Sequence, residues 1–136
     1  MPLHTRRMTA PYVRLGFFKL NVADMEPALA FWRDAFGFSV TMSFDQPDFS
    51  EHVLSLPGQE GGPNLMLVAY KDGRDAVPGS GHGAVGLICN DLTAAYERAT
   101  SFGATTLTRP FEAEGVKIAL LLSPQGHEIE LIQLPA

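Results

Sequence analysis

The 136-residue sequence predicts an α+β fold: two tandem βαβββ modules whose strands form a concave half-barrel sheet with the helices outside. Three observations carry this. The segment Phe17-Phe-Lys-Leu-Asn-Val-Ala-Asp24, running on to Phe36-Gly37, is echoed by Ala84-Val-Gly-Leu-Ile-Cys-Asn-Asp91, running on to Phe102-Gly103. Each copy is followed by three β-rich stretches divided by Gly and Pro. The size and composition, 46% hydrophobic and 18% charged, suit one domain with a sizeable core. The expected organisation is a single domain over 1–136, with module 1 at 13–70, a linker at 71–83 and module 2 at 84–134.

In the first module Phe17 opens a strand, and Asp24 can cap the helix that follows. Pro27 falls in the first turn of that helix, where its missing N–H costs little. Ala28, Phe31, Trp32 and Ala35 recur at helical spacing, and Gly37 stands where a left-handed residue ends the helix. Strands are then expected at Ser39–Phe44, His52–Leu56 and Asn64–Tyr70, with turns at Leu56-Pro-Gly58 and Gly61-Gly-Pro63. The second module repeats the pattern. Asp91 caps, Leu92, Ala95, Tyr96 and Ala99 form the apolar stripe, and Gly103 stops the helix. Strands follow at Thr105–Thr108, Val116–Leu122 and His127–Ile132, with Ser123-Pro-Gln-Gly126 as a turn.

Net charge is −5 and pI about 5.2, which argues against nucleic-acid and anionic-membrane partners. The single cysteine, Cys89, excludes an internal disulfide framework and reads as packing. The longest apolar run, Ile118–Leu122, is far short of a membrane span. Met1–Arg7 has basic residues with no apolar stretch behind them, so no secretory signal is read there and a cytoplasmic location is expected. Arg6, Arg7, Tyr12 and Arg14 are assigned to an N-terminal tail, with Met8 as a possible second start. Gly81-His-Gly83-Ala-Val-Gly86 matches the dinucleotide fingerprint by letter but leads into a strand instead of a helix.

The ending Ser123-Pro-Gln-Gly126-His-Glu-Ile-Glu130-Leu, with Leu20-Asn-Val-Ala-Asp24, Phe31-Trp32 and Phe36-Gly37-Phe38, resembles the vicinal oxygen chelate superfamily, which holds glyoxalase I, bleomycin-resistance proteins and extradiol dioxygenases. The likeness runs over about 13–134. It implies four metal-ligand positions, which fall here on Phe17, Leu67, Ala84 and Glu130. A divalent ion needs several N or O donors, and only Glu130 offers one. Neither a metal nor any other cofactor is therefore expected. A rearranged site of His52, His82 and Glu130 is the alternative. His82 would share the face of Ala84 only if the strand extends back to it, while His127 has opposite parity to Glu130 and faces away.

Glu130 is the candidate catalytic residue, as a general base or as a carboxylate pairing with a ligand cation; its structural alternative is a bond to Lys19. Glu128 shares its parity. The candidate ligand pocket comprises Phe17, Lys19, Asn21, Leu65, Leu67, His82, Ala84, Gly86 and Glu130. Ala69 and Ile132 complete the wall, and Phe44, Phe49 or Phe111 close over it. Such an apolar lining with few polar handles suits a small organic ligand. Two functions follow: a metal-independent binder of such a ligand, like the bleomycin-resistance branch, or a glyoxalase-type lyase, isomerase or dioxygenase using an atypical metal site or Glu130 as base. The resemblance also implies a homodimer whose pockets combine strands of both chains.

Overall fold

The computed structural model describes residues 11–136; Met1–Arg7 and Met8 lie outside the described residues. The element order is β1 (Phe17–Asn21), α1 (Met25–Phe36), β2 (Ser39–Asp45), β3 (Phe49–Ser55), β4 (Asn64–Tyr70), β5 (Val85–Ile88), α2 (Leu92–Ser101), β6 (Thr105–Ala113), β7 (Val116–Leu122) and β8 (Glu128–Gln133). The strands form two open four-stranded sheets, ordered β1-β4-β3-β2 and β5-β8-β7-β6. The first strand of each module runs parallel to the last, and the other pairs are antiparallel. The repeat legible in the sequence is thus a repeat of topology.

Each helix forms for the expected reasons, with one difference. Asp91 accepts from Ala94 N–H at 3.1 Å, whereas Asp24 makes no side-chain cap and α1 starts without one. Gly37 (φ 86°) is left-handed and donates its N–H to Arg33 O at 2.9 Å, closing α1. Two strands exceed their expected lengths. β3 begins at Phe49, three residues before His52. β6 runs on through Pro110 to Ala113, which an edge strand with two register shifts tolerates because a proline there removes no ladder bond.

One continuous core joins the two modules. It contains the fully buried Trp32 together with Leu20, Leu54 and Leu67 of the first sheet and Leu121, Ile129 and Leu131 of the second. Helix packs on helix, and Arg98 Nε donates to Asp34 O at 2.8 Å across the pair. Each sheet therefore turns one face to the helices; the other is open on the second sheet, whereas on the first it is open at Phe17, Met42 and Phe44 and buried in the middle at Glu51, Met66 and Val68.

Candidate functional site

Strand register settles which side chains share which face. Leu20, Leu65, Leu67 and Ala69 all belong to the core under the helices, and Leu65 and Leu67 stand beside Phe18 and Leu20. The expectation that Leu65, Leu67 and Ala69 wall a pocket with Phe17 is corrected by this. Phe17 and Lys19 belong to the opposite face, with Met66 beside Lys19 and Val68 beside Asn21. On β3 that face carries Glu51 and Val53, and on β2 Met42 and Phe44.

The polar centre of this first open face is an ion pair. Lys19 Nζ lies 2.9 Å from Glu51 Oε2, with the carboxylate buried and the ammonium half-exposed. Lys19 also sits 5.6 Å from the centroid of Phe17. Lys19 is therefore the partner of Glu51 and not of Glu130. The sequence marks no site residue at Glu51, since its strand is expected to begin at His52; the alternation Phe49, Glu51, Val53 is the signal that points to it. His52 stands on the other face, beside Leu67, with Nδ1 2.7 Å from Ser43 Oγ, so it does not converge with Glu130.

The second open face is built differently. Gly86 and Leu120 flank Glu130 in register, and Ile88 and Ile132 stand one pair further along. Glu130 is half-buried and Glu128 exposed, and among the described residues neither is in an ion pair. A Cβ on Gly86 would meet nothing within 4 Å, so the space above Glu130 is open. Ile88 is 74% exposed and Phe111 44%, an apolar rim facing outward.

The remaining expected pocket residues separate into two cavities. Leu65, Ala84 and Gly86 line an apolar cleft of about 340 Å³ between the edges of β1 and β5, together with Phe18, Phe38 and Leu87. Lys19, Asn21 and His82 line another of about 300 Å³ at the junction of the modules, with Tyr70, Arg74 and His127. His82 lies there because β5 begins only at Val85; its ring packs edge-on against Phe18 at 5.9 Å. His127 faces away from Glu130, as its parity requires, and is buried. Burial lowers the pKa of His127, the charge of a nearby His82 lowers it further, and the Asn21 backbone opposes both. Burial raises the pKa of Cys89, which packs against the core. The Arg74 guanidinium holds the Asp72 carboxyl down to about 2.

The donor set does not fit the metal cage that the resemblance implies. Phe17 and Ala84 carry no lone pair, Leu67 lies under the helix, and Glu130 stands alone among them. Among the described residues no three His, Cys, Asp or Glu side chains are grouped to hold an ion.

Paired βαβββ modules, each a four-stranded sheet with its helix on one face, define the class of protein. The chain belongs to the Glyoxalase/Bleomycin resistance protein/Dioxygenase superfamily, whose family model matches residues 14–131. It is 25% identical over 119 residues to a lactoylglutathione lyase of Haemophilus influenzae, covering 84% of this chain and 87% of that protein. Its fold is similar to that of a Zea mays glyoxalase I mutant (TM-score 0.79, 23% identity, 88% of this chain), of which it spans 45%. It is similar likewise to the trypanothione-dependent glyoxalase I of Leishmania major (TM-score 0.78, 16% identity, 90% of this chain and 87% of that one). A third similar fold is TnmS3, an antibiotic binding protein from Streptomyces sp. CB03234 (TM-score 0.72, 20% identity, 93% and 99%). No helix is long and apolar enough to cross a membrane among the described residues.

Proposed function

We propose that the protein binds a small organic ligand on the open face around Glu130, without the metal site of the superfamily's metalloenzymes. The observation that carries this reading is the donor set: of the four ligand positions, Glu130 alone offers an oxygen, and it stands among Gly86, Leu120 and Ile132 with open space above it. A carboxylate without an ion-pair partner among the described residues, in apolar surroundings, favours a ligand that combines a cationic group with a ring or alkyl body. The antibiotic-binding fold relative supports the same reading at the level of architecture.

A homodimer belongs to the proposal. Phe17, Met42 and Phe44 on one open face and Ile88 and Phe111 on the other leave an apolar surface that a second copy would cover, completing each site from two chains. The likeness to a lactoylglutathione lyase favours the enzymatic alternative, in which Glu130 serves as general base. Metal content separates the proposal from an enzyme with an atypical metal site, and turnover that is lost in Glu130→Gln would separate it from one that uses Glu130 as base. Protein purified without chelator is expected to carry well under one equivalent of Zn, Ni, Fe or Mn, and added ions to leave the melting temperature unchanged. Near-stoichiometric metal, lost on mutating Glu130 and His82, would overturn the proposal in favour of an atypical metalloenzyme.

A further inference from the structure

The cavity of about 300 Å³ at the module junction is separate from the Glu130 face and is assembled from three parts of the chain. Lys19, Asn21 and Tyr70 come from the first sheet, Arg74 and His82 from the linker, and His127 from the turn before β8. We propose that this cavity is a second binding site, and that its ligand is a small organic carboxylate.

Fixed, unspent donors are the first argument. The Arg74 guanidinium lies 3.8 Å from the centroid of Tyr70, and its Nε and Nη2 hold Asp72 at 3.0 and 2.6 Å. Nη1 makes no hydrogen bond among the described residues and remains free for a ligand. Lys19 is held from its far side by Glu51 and keeps further N–H groups. Neither Asp72 nor Glu51 lines the cavity, so each cation is positioned from outside it. Ordering these long side chains before binding removes part of the entropy that a ligand would otherwise cost.

Two further observations point the same way. His127 is 3% exposed, lines the cavity, and has a buried Nδ1 without a hydrogen-bond partner among the described residues, where folded proteins rarely leave such a group unsatisfied. Of the charged residues that line the cavity two are cations, Lys19 and Arg74, and one, Asp75, is an anion; Glu51 and Asp72 stand behind the two cations, outside the lining, and reduce that excess. Leu20, Val22, Val77 and Pro78 give its wall an apolar part, which a carbon skeleton would use and inorganic phosphate would not. The volume lies at the lower end of small-molecule sites, roughly 300–1,000 Å³, which restricts the ligand to a small acid.

Isothermal titration of the full chain with benzoate, acetate and inorganic phosphate at fixed ionic strength tests this. Benzoate is expected to bind more tightly than acetate or phosphate, and benzylamine not to displace it. Arg74→Gln, an exposed position, should weaken benzoate at least about tenfold by removing a charge-assisted hydrogen bond. Asp75→Asn should tighten it severalfold by removing the opposing charge; should Arg74→Gln fail to fold, this variant decides alone. Absence of benzoate binding, phosphate binding as tightly as benzoate, or benzoate affinity unmoved by the decisive variant would overturn the proposal. These outcomes are independent of what binds at Glu130.

Discussion

The two open faces occupy equivalent places in the repeat and differ in how they treat a carboxylate. On the first sheet Glu51 is buried and tied to Lys19, with Met66 and Val68 filling in beside the pair. On the second sheet Glu130 is half-buried, unpaired among the described residues, and overlooked by a glycine. A carboxylate that already has its counter-ion serves the fold; one without a partner is available to a ligand. The same topology thus ties up one carboxylate and leaves the other to a ligand, because the carboxylates stand on different strands, Glu51 on β3 and Glu130 on β8, and β1 offers Lys19 where β5 offers Gly86.

The largest expected effect separates the two sides of β4. Leu67→Ala, a fully buried core position, should cost about 2–5 kcal/mol in denaturant unfolding without directly touching either open face. If Leu67 instead walled the pocket, the loss would appear in ligand affinity and not in stability. Next, Lys19→Met leaves the buried Glu51 without its counter-ion and should cost about 1–3 kcal/mol, restored in part by the double change with Glu51→Gln. Glu130→Gln, its counterpart on the other sheet, should stay within about 0.5 kcal/mol of the parent.

A smaller effect concerns the junction where the modules meet. His127 has a folded-state pKa below its ordinary value because of burial, so the unfolded chain binds a proton more readily. Stability from this residue is therefore complete above about pH 6.5 and declines as pH falls from there through the lowered folded value. His127→Gln should flatten that part of the stability profile; an unchanged slope between about pH 7 and 5 would show that the residue is not buried neutral. The smallest expected change in stability is at Gly86. Gly86→Leu meets open space and should shift stability by no more than about 0.5 kcal/mol while abolishing binding at Glu130. A melting point that falls by many degrees would show that the face is packed.

The topology was legible because its signals are local and occur twice: Asp before each helix, an apolar stripe of period 3.6, Gly after it, and turn residues between strands. The site was legible only in part. Glu130, Gly86 and Ile132 fall on one face as parity predicts, since β8 and β5 are regular. Parity failed for β4, whose residues are almost all apolar and buried, Met66 and Val68 as well as Leu65 and Leu67, so the sequence gives no alternation from which to choose a face. Lys19, Asn21 and His82 went astray for a different reason. Their cavity is closed by the linker, and where 71–83 lies depends on tertiary packing, such as Pro78 against Gly126, that no local pattern encodes.

The contrast between a spent and an unspent carboxylate is tested most directly by a matched pair of ligands, benzylamine and benzyl alcohol, titrated into the parent protein and into Glu130→Gln. The cation should bind the parent at least about tenfold more tightly than its neutral analogue, because Glu130 has no counter-ion among the described residues. In Glu130→Gln the two affinities should converge, with the alcohol binding as before. Equal affinities in the parent, or a preference for the amine that survives in Glu130→Gln, would contradict the assignment of Glu130 as the group that meets the ligand.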